Sequence, residues 1–131
     1  MDAHADIHAG ICGFRTQVTA TAERSRLVRF AVDTDCETVA SLAAALTEHG
    51  DFDAFDEIDP RTDSGLMVVV RAHLRGCCAG CAVPVGLFKA MQVAAGLALP
   101  KDVEIGLSAE RTPQAEETRP CNDTTQRKAT E

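Results

Sequence analysis

Tryptophan and tyrosine are absent from this chain of 131 residues, and five phenylalanines supply all of its aromatic content. Few rings are therefore available to stack on bases, and a formal net charge of -7 repels phosphate backbones, so nucleic acid is not an expected partner. A basic segment followed by an apolar run is also missing at the start. The first residues, MDAHADIHAG, carry acids instead, so no signal peptide is expected and a cytoplasmic, reducing setting follows. Neither a phosphate-binding glycine loop nor a serine-histidine-acid constellation is recognisable, and no catalytic residue is assigned. With so few aromatics the core must be built from Val, Leu and Ala, which suits helices packed tightly on a small sheet.

What the chain does have is cysteine. A chain of this length fits one domain and can bury a core without staples, so its six cysteines read as metal-binding or redox-active rather than as a disulfide framework. Three of them, Cys77, Cys78 and Cys81, fall within five positions. Thiolates are preferred ligands for zinc, copper(I) and iron-sulfur clusters, and the spacing of Cys78 and Cys81 lets both reach one metal. Gly76 and Gly80 free the backbone around them, and Pro84 suits the first turn of a following helix whose amide dipoles would favour thiolates. One such pair supplies half a tetrahedral site, so further ligands must come from elsewhere.

Periodicity along the chain predicts a single α+β domain over residues 1–109, followed by a disordered polar tail over 110–131. Alternation over residues 7–20 and again over 25–33 predicts an antiparallel hairpin, and Val103, Ile105 and Leu107 alternate as a third strand near 102–109. The expectation is a small three-stranded sheet covered by helices, a two-layer sandwich. Val39, Leu42, Ala43 and Leu46 share one face of a helix starting at Glu37, capped by Asp35 or Cys36. Leu87, Met91, Ala94 and Ala95 mark the inner face of a second helix over Val83 to Leu97. Residues 66–74 fit either a strand or a helix, since Val68, Val70, Ala72 and Leu74 alternate, yet Asp63 or Ser64 can cap a helix and Gly76 stands where it would end. Phe52, Phe55 and Ile58 are expected to anchor a connecting turn or short helix; the acids between them lack the glycine and oxygen pattern of a calcium loop. The run from Ala79 to Pro100 is apolar apart from Lys89 and Gln92, but Pro84 and the central charge favour a core helix, so no membrane partner is expected.

In the predicted hairpin, Cys12 near the start of the first strand and Cys36 just past the end of the second fall at the same end of the sheet. Delivery of Cys78 and Cys81 to that end would assemble four thiols. The expected site is Cys12, Cys36, Cys81 and a fourth ligand, with Cys78 preferred and Cys77 or His73 as alternatives. Lys89 is a candidate to offset thiolate charge. His4 and His8 are expected to be solvated at a frayed terminus, and Cys121 to lie in the tail.

Two resemblances attach to these residues. Gly76-Cys77-Cys78-Ala79-Gly80-Cys81, with Lys89 eight residues later, resembles the cysteine turn of the C-terminal domain of NifU-type iron-sulfur scaffold proteins. That likeness implies a strand at 66–74 and a cluster held by Cys78 and Cys81 between two subunits. More extensively, Cys12-Gly13-Phe14, Thr34-Asp35-Cys36, the stretch Cys81 to Gly86 with Lys89-Ala90, and Ala94 to Pro100 resemble a family of small, functionally uncharacterised proteins from anaerobic bacteria and archaea. This second likeness implies a helix at 66–74 and offers no activity. The expected function is a cytosolic protein binding an iron-sulfur cluster or zinc, a scaffold or carrier working as a homodimer or with a cluster-accepting partner. The alternatives are a thiol redox enzyme using Cys77, Cys78 and Cys81, and a metal-free interaction module.

Overall fold

A computed structural model describes residues 1–23, 26–59, 61 and 64–111. Four strands, β1 (Asp2–His8), β2 (Arg15–Ala22), β3 (Leu27–Thr34) and β4 (Phe52–Asp53), form an open antiparallel sheet in chain order. Among the described residues four α-helices complete the architecture: α1 (Glu37–His49), α2 (Ala54–Glu57), α3 (Gly65–His73) and α4 (Val83–Ala94). The fold is thus α+β.

The sheet buries one face. Along β2, Thr16, Val18, Ala20 and Ala22 are buried while Arg15 and Gln17 are exposed, the period of a half-covered strand. Ala3 and Ile7 of β1 and Val28 and Phe30 of β3 continue the buried face. Onto it pack α1, through Val39, Leu42 and Leu46, and α4, through Val83, Leu87, Ala90, Met91 and Ala94. At Gly86 the helix backbone comes so close to β1 that an added Cβ would overlap the side chain of Ile7. Close approach of this kind lets a core poor in aromatics still pack densely.

Three sequence expectations are corrected here. The sheet is four-stranded rather than a three-stranded sandwich closed by a C-terminal strand, because residues 102–109 form no strand and their side chains are exposed. The unexpected strands are β1 and the short β4, and what read as one strand over 7–20 is the end of β1, a turn and β2. Accordingly His4 and His8 stand on a strand: His4 Nδ1 lies 3.2 Å from Thr19 Oγ1, and His8 lies 3.8 Å from Asp6. The second helix stops at Ala94 rather than Leu97, with Gly96 at a φ of 79° just beyond it.

Residues 65–73 are helical, which settles the ambiguous segment. Ser64 is the deciding residue, since its hydroxyl accepts from the Met67 N–H at 3.1 Å, while Glu57 reaches over to accept from the Leu66 N–H at 2.8 Å. Of the three expected anchors after α1, only Phe52 is buried. Phe55 is instead covered by the Arg26 guanidinium 4.7 Å from its ring centre, and Ile58 is exposed. The stretch Gly76–Ala94 is long and apolar enough to cross a membrane by length and composition, with a mean hydropathy of 1.4. Its helical part α4 lies on the sheet. The expected tail beyond Arg111, with Cys121, lies outside the described residues.

Candidate functional site

The end of the sheet where β1 passes into β2 and β3 passes into α1 is shaped by backbone chemistry before any thiol is considered. Between β1 and β2 the chain turns through residues 9–14, held by Ala9 N–H to Phe14 O at 3.1 Å and Gly13 N–H to Gly10 O at 2.9 Å. Gly10 and Gly13 take φ values of 90° and 76°, a region that side chains disfavour, so the turn depends on glycine. Cys12 sits between them, half-buried.

On the neighbouring strand, Thr34 fixes the exit into α1. Its hydroxyl lies 2.7 Å from that of the buried Thr16 and accepts from the Cys36 N–H at 3.1 Å, while the Asp35 N–H reaches Arg15 O at 3.2 Å. Cys36 is the N-cap of α1, but its side chain makes no capping hydrogen bond. Serine or aspartate is the usual choice at such a position, as Ser64 and Asp53 show in α3 and α2. A half-buried thiol in that place is poorly explained by capping.

The third contribution comes from the connection between α3 and α4. After the buried Leu74 the chain makes a single 3-10 turn over Gly76–Gly80, with Cys78 N–H to Arg75 O at 3.0 Å and Cys81 N–H to Cys78 O at 3.1 Å. Cys81 then precedes α4, and the first amide of that helix, Val83 N–H, donates to its sulfur at 3.4 Å. Cys36, Cys78 and Cys81 all pack against the hydrophobic core.

These segments converge. Burial pushes the Cys78 thiol up from its ordinary range; the charge of Cys36 adds to this, a hydrogen bond with Thr38 opposes it, and Cys12 and Cys77 raise it further. Cys81 is likewise raised, first by burial, with the Val83 N–H opposing and Cys78, Cys12 and Cys36 adding to the shift. Cysteines separated by as many as 69 positions in the chain, Cys12 and Cys81, thus lie within electrostatic reach of each other. The five described cysteines form no disulfide.

Sulfur is the donor type that thiophilic metals and iron-sulfur clusters prefer. The arrangement is open, however: among the described residues, no group of three or more His, Cys, Asp or Glu side chains stands close enough together to hold a metal ion. The two findings are compatible, because charges act over longer distances than coordinate bonds. The raised thiols are protonated at neutral pH, which removes the repulsion that four thiolates would feel.

Other expected participants are placed elsewhere. His73 donates Nδ1–H to Val69 O at 3.0 Å within α3, an arrangement internal to its own helix. Lys89 is exposed on α4 and lines the groove between that helix, β1 and residues 98–105. Cys77 stays beside Cys78 on the 3-10 turn. Thr38, which hydrogen-bonds Cys78, was not expected from the sequence. Its signal was present in Cys36-Glu37-Thr38, since a first-turn residue lies close to whatever approaches the N-cap of its helix, here Cys78.

One family model, described as a family of unknown function (DUF6951), matches residues 3–107. No curated protein and no solved structure matches the chain.

Proposed function

We propose that this chain, which belongs to the DUF6951 family of unknown function, is a metal-binding protein in which Cys12, Cys36, Cys78 and Cys81 close on an iron-sulfur cluster or, in second place, on zinc. The observation that supports this reading is that both Cys78 and Cys81 lie within electrostatic reach of Cys12 and Cys36, so half-buried thiols from three separate parts of the chain converge. Buried cysteines need no such convergence to serve as packing.

Closure requires the Cys12 turn and the 3-10 turn to move inward, and both carry glycines at positive φ, Gly10, Gly13 and Gly76. The chain's own residues then have definite work. The Val83 N–H and the Thr38 hydroxyl each offset negative charge on one sulfur, Cys81 and Cys78 respectively. Because the thiols of Cys78 and Cys81 begin protonated, binding releases protons and adds its free energy to that of the fold. A bound cluster would supply electron transfer or be cargo for a partner in a reducing cytosol.

A thiol redox enzyme is the less favoured reading. Reactive cysteines have depressed pKa values, and Cys78 and Cys81 are shifted the other way.

The test is production and purification without oxygen, followed by measurement of iron, acid-labile sulfide and zinc and an absorption spectrum. Stoichiometric metal is expected, lost in Cys12→Ala, Cys36→Ala, Cys78→Ala and Cys81→Ala and kept in Cys77→Ala. Absence of both metals, with content and stability indifferent to those four substitutions, overturns the proposal. Turnover of peroxide or a disulfide would then point to redox chemistry, and its absence to an interaction module.

A further inference from the structure

The outer edge of β1 and the segment after α4 carry matching signals that are not satisfied among the described residues. β1 is the first strand of the sheet and pairs only with β2, so its other edge presents backbone N–H and C=O groups along a groove. The groove, about 1540 Å³, has β1 and α4 as one wall and floor and residues 98–105 of the same chain as the far wall. Those residues have the period of a strand. Val103, Ile105 and Leu107 alternate with Glu104 and Gly106, yet they are 50, 65 and 92 % exposed. Among the described residues the last backbone hydrogen bond along the chain is Leu97 N–H to Gln92 O at 2.7 Å. An apolar strand sequence thus stands in water opposite an unpaired strand edge.

We propose that β1 accepts the Val103–Leu107 segment of a second copy of this chain, and that the two copies exchange these segments in a symmetric dimer. Charge and face select the pairing. Antiparallel, with Ile105 opposite Ile7, the segment sets Leu107 opposite Ala5 on the face covered by α4, beside the half-exposed Val85. On the outer face the same register puts Glu104 beside His8 and Gly106 beside Asp6, so Asp6 meets no carboxylate, while Asp2 falls opposite Glu110 just beyond the segment.

Chain direction assigns this register to a second copy. α4 begins at the end of β1, since Gly86 rests on Ile7 and the thiol of Cys81 feels that of Cys12, and it runs back along the strand. The chain's own segment leaves the other end of α4 and would return parallel to β1. The antiparallel partner, the more stable arrangement per residue, comes from outside. Exchange of identical elements is a low-cost route to a two-fold dimer, and strand addition at a free edge is a recurrent mode of recognition.

The experiment is light scattering on the full chain over a range of concentrations, with hydrogen exchange read at residues 2–8 and 103–107. Wild type is expected at twice 13.9 kDa with both segments protected. Ile105→Asp, at an exposed position that the domain does not need for folding, should weaken the dimer by about thirtyfold or more and release both segments. Leu107→Asp should act the same way, and neither should alter metal content. A wild-type monomer overturns the proposal, and slow exchange at 103–107 in that monomer would assign the segment to its own chain. A dimer indifferent to both substitutions overturns it as well.

Discussion

The backbone N–H of Val83 lies 3.4 Å from the sulfur of Cys81, so the first amide of α4 is directed at a thiol rather than at water. A helix N-terminus favours negative charge, yet the Cys81 thiol is raised overall because burial dominates. The arrangement is one in which a thiolate is costly until a cation shares its charge, and then is well supported.

Stability of the metal-free, reduced protein should depend on pH with a definite sign. Cys78 and Cys81 have folded-state pKa values above the unfolded cysteine value of about 8.5, so at high pH the unfolded chain binds fewer protons than the folded one. Their contribution is present in full below about pH 8.5 and is lost as pH rises towards the raised folded values. Urea denaturation at a series of pH values should show this decline, and the double variant Cys78→Ala with Cys81→Ala should flatten it. An unchanged slope in the double variant would assign the decline to other groups.

Gly86→Ala should destabilise the domain by about 1 to 3 kcal/mol, because the added methyl overlaps Ile7 in a packed layer and outweighs the gain in helix propensity. Gly80→Ala, with open space at its Cβ position, should change stability by no more than about 0.5 kcal/mol. A double-mutant cycle of Gly86→Ala with Ile7→Ala checks the mechanism. Strict additivity would show that the two positions are not coupled.

How far the sequence could be read follows from the kinds of signal it carries. α1 and α4 were legible because Val39, Leu42 and Leu46, and Leu87, Met91 and Ala94, repeat with the helical period and are buried as that period requires. β1 was illegible because its outward residues are Asp2, His4, Asp6 and His8 and its inward ones are Ala3, Ala5 and Ile7. Two alanines beside one isoleucine fit under α4 only because Gly86 brings the helix close, a tertiary condition. The converse error fell on Val103, Ile105 and Leu107, whose period is that of a strand but which form no strand and stand exposed. At the site, the hairpin alone implied that Cys12 and Cys36 share an end, and the register confirms it, with Thr16 opposite Thr34. The Thr38 contact needed the actual approach of the 3-10 turn to α1.

Ser64→Ala should cost about 1 kcal/mol, through loss of the hydroxyl that accepts the Met67 N–H. The same change removes a partner of Glu57, whose carboxylate also receives the Leu66 N–H. Amide exchange should accelerate first at residues 66–68 and spread little into α4. Equal acceleration in both helices would show that α3 is held by packing and not by its cap.

The last expectation concerns Thr34, which joins the fold to the site. Its hydroxyl is shared between the buried Thr16 and the amide of Cys36. Thr34→Val keeps the shape and the β-branched stiffness suited to a strand but leaves both groups without that partner, at a cost of about 1 to 3 kcal/mol. Thr16→Val, by contrast, removes only the Thr16 side of the pair, and the Thr34 oxygen still accepts from Cys36. If the Cys36 thiol is positioned through this amide, the two variants should separate: both lose stability, but Thr34→Val should also lower metal occupancy at a pH where wild type is saturated. Measured together, unfolding free energy and bound metal per chain decide the matter. Equal occupancy in the two variants at equal stability would show that Thr34 serves the sheet alone, and that Cys36 is held by the first turn of α1, where its carbonyl accepts from Ala40 N–H at 2.8 Å.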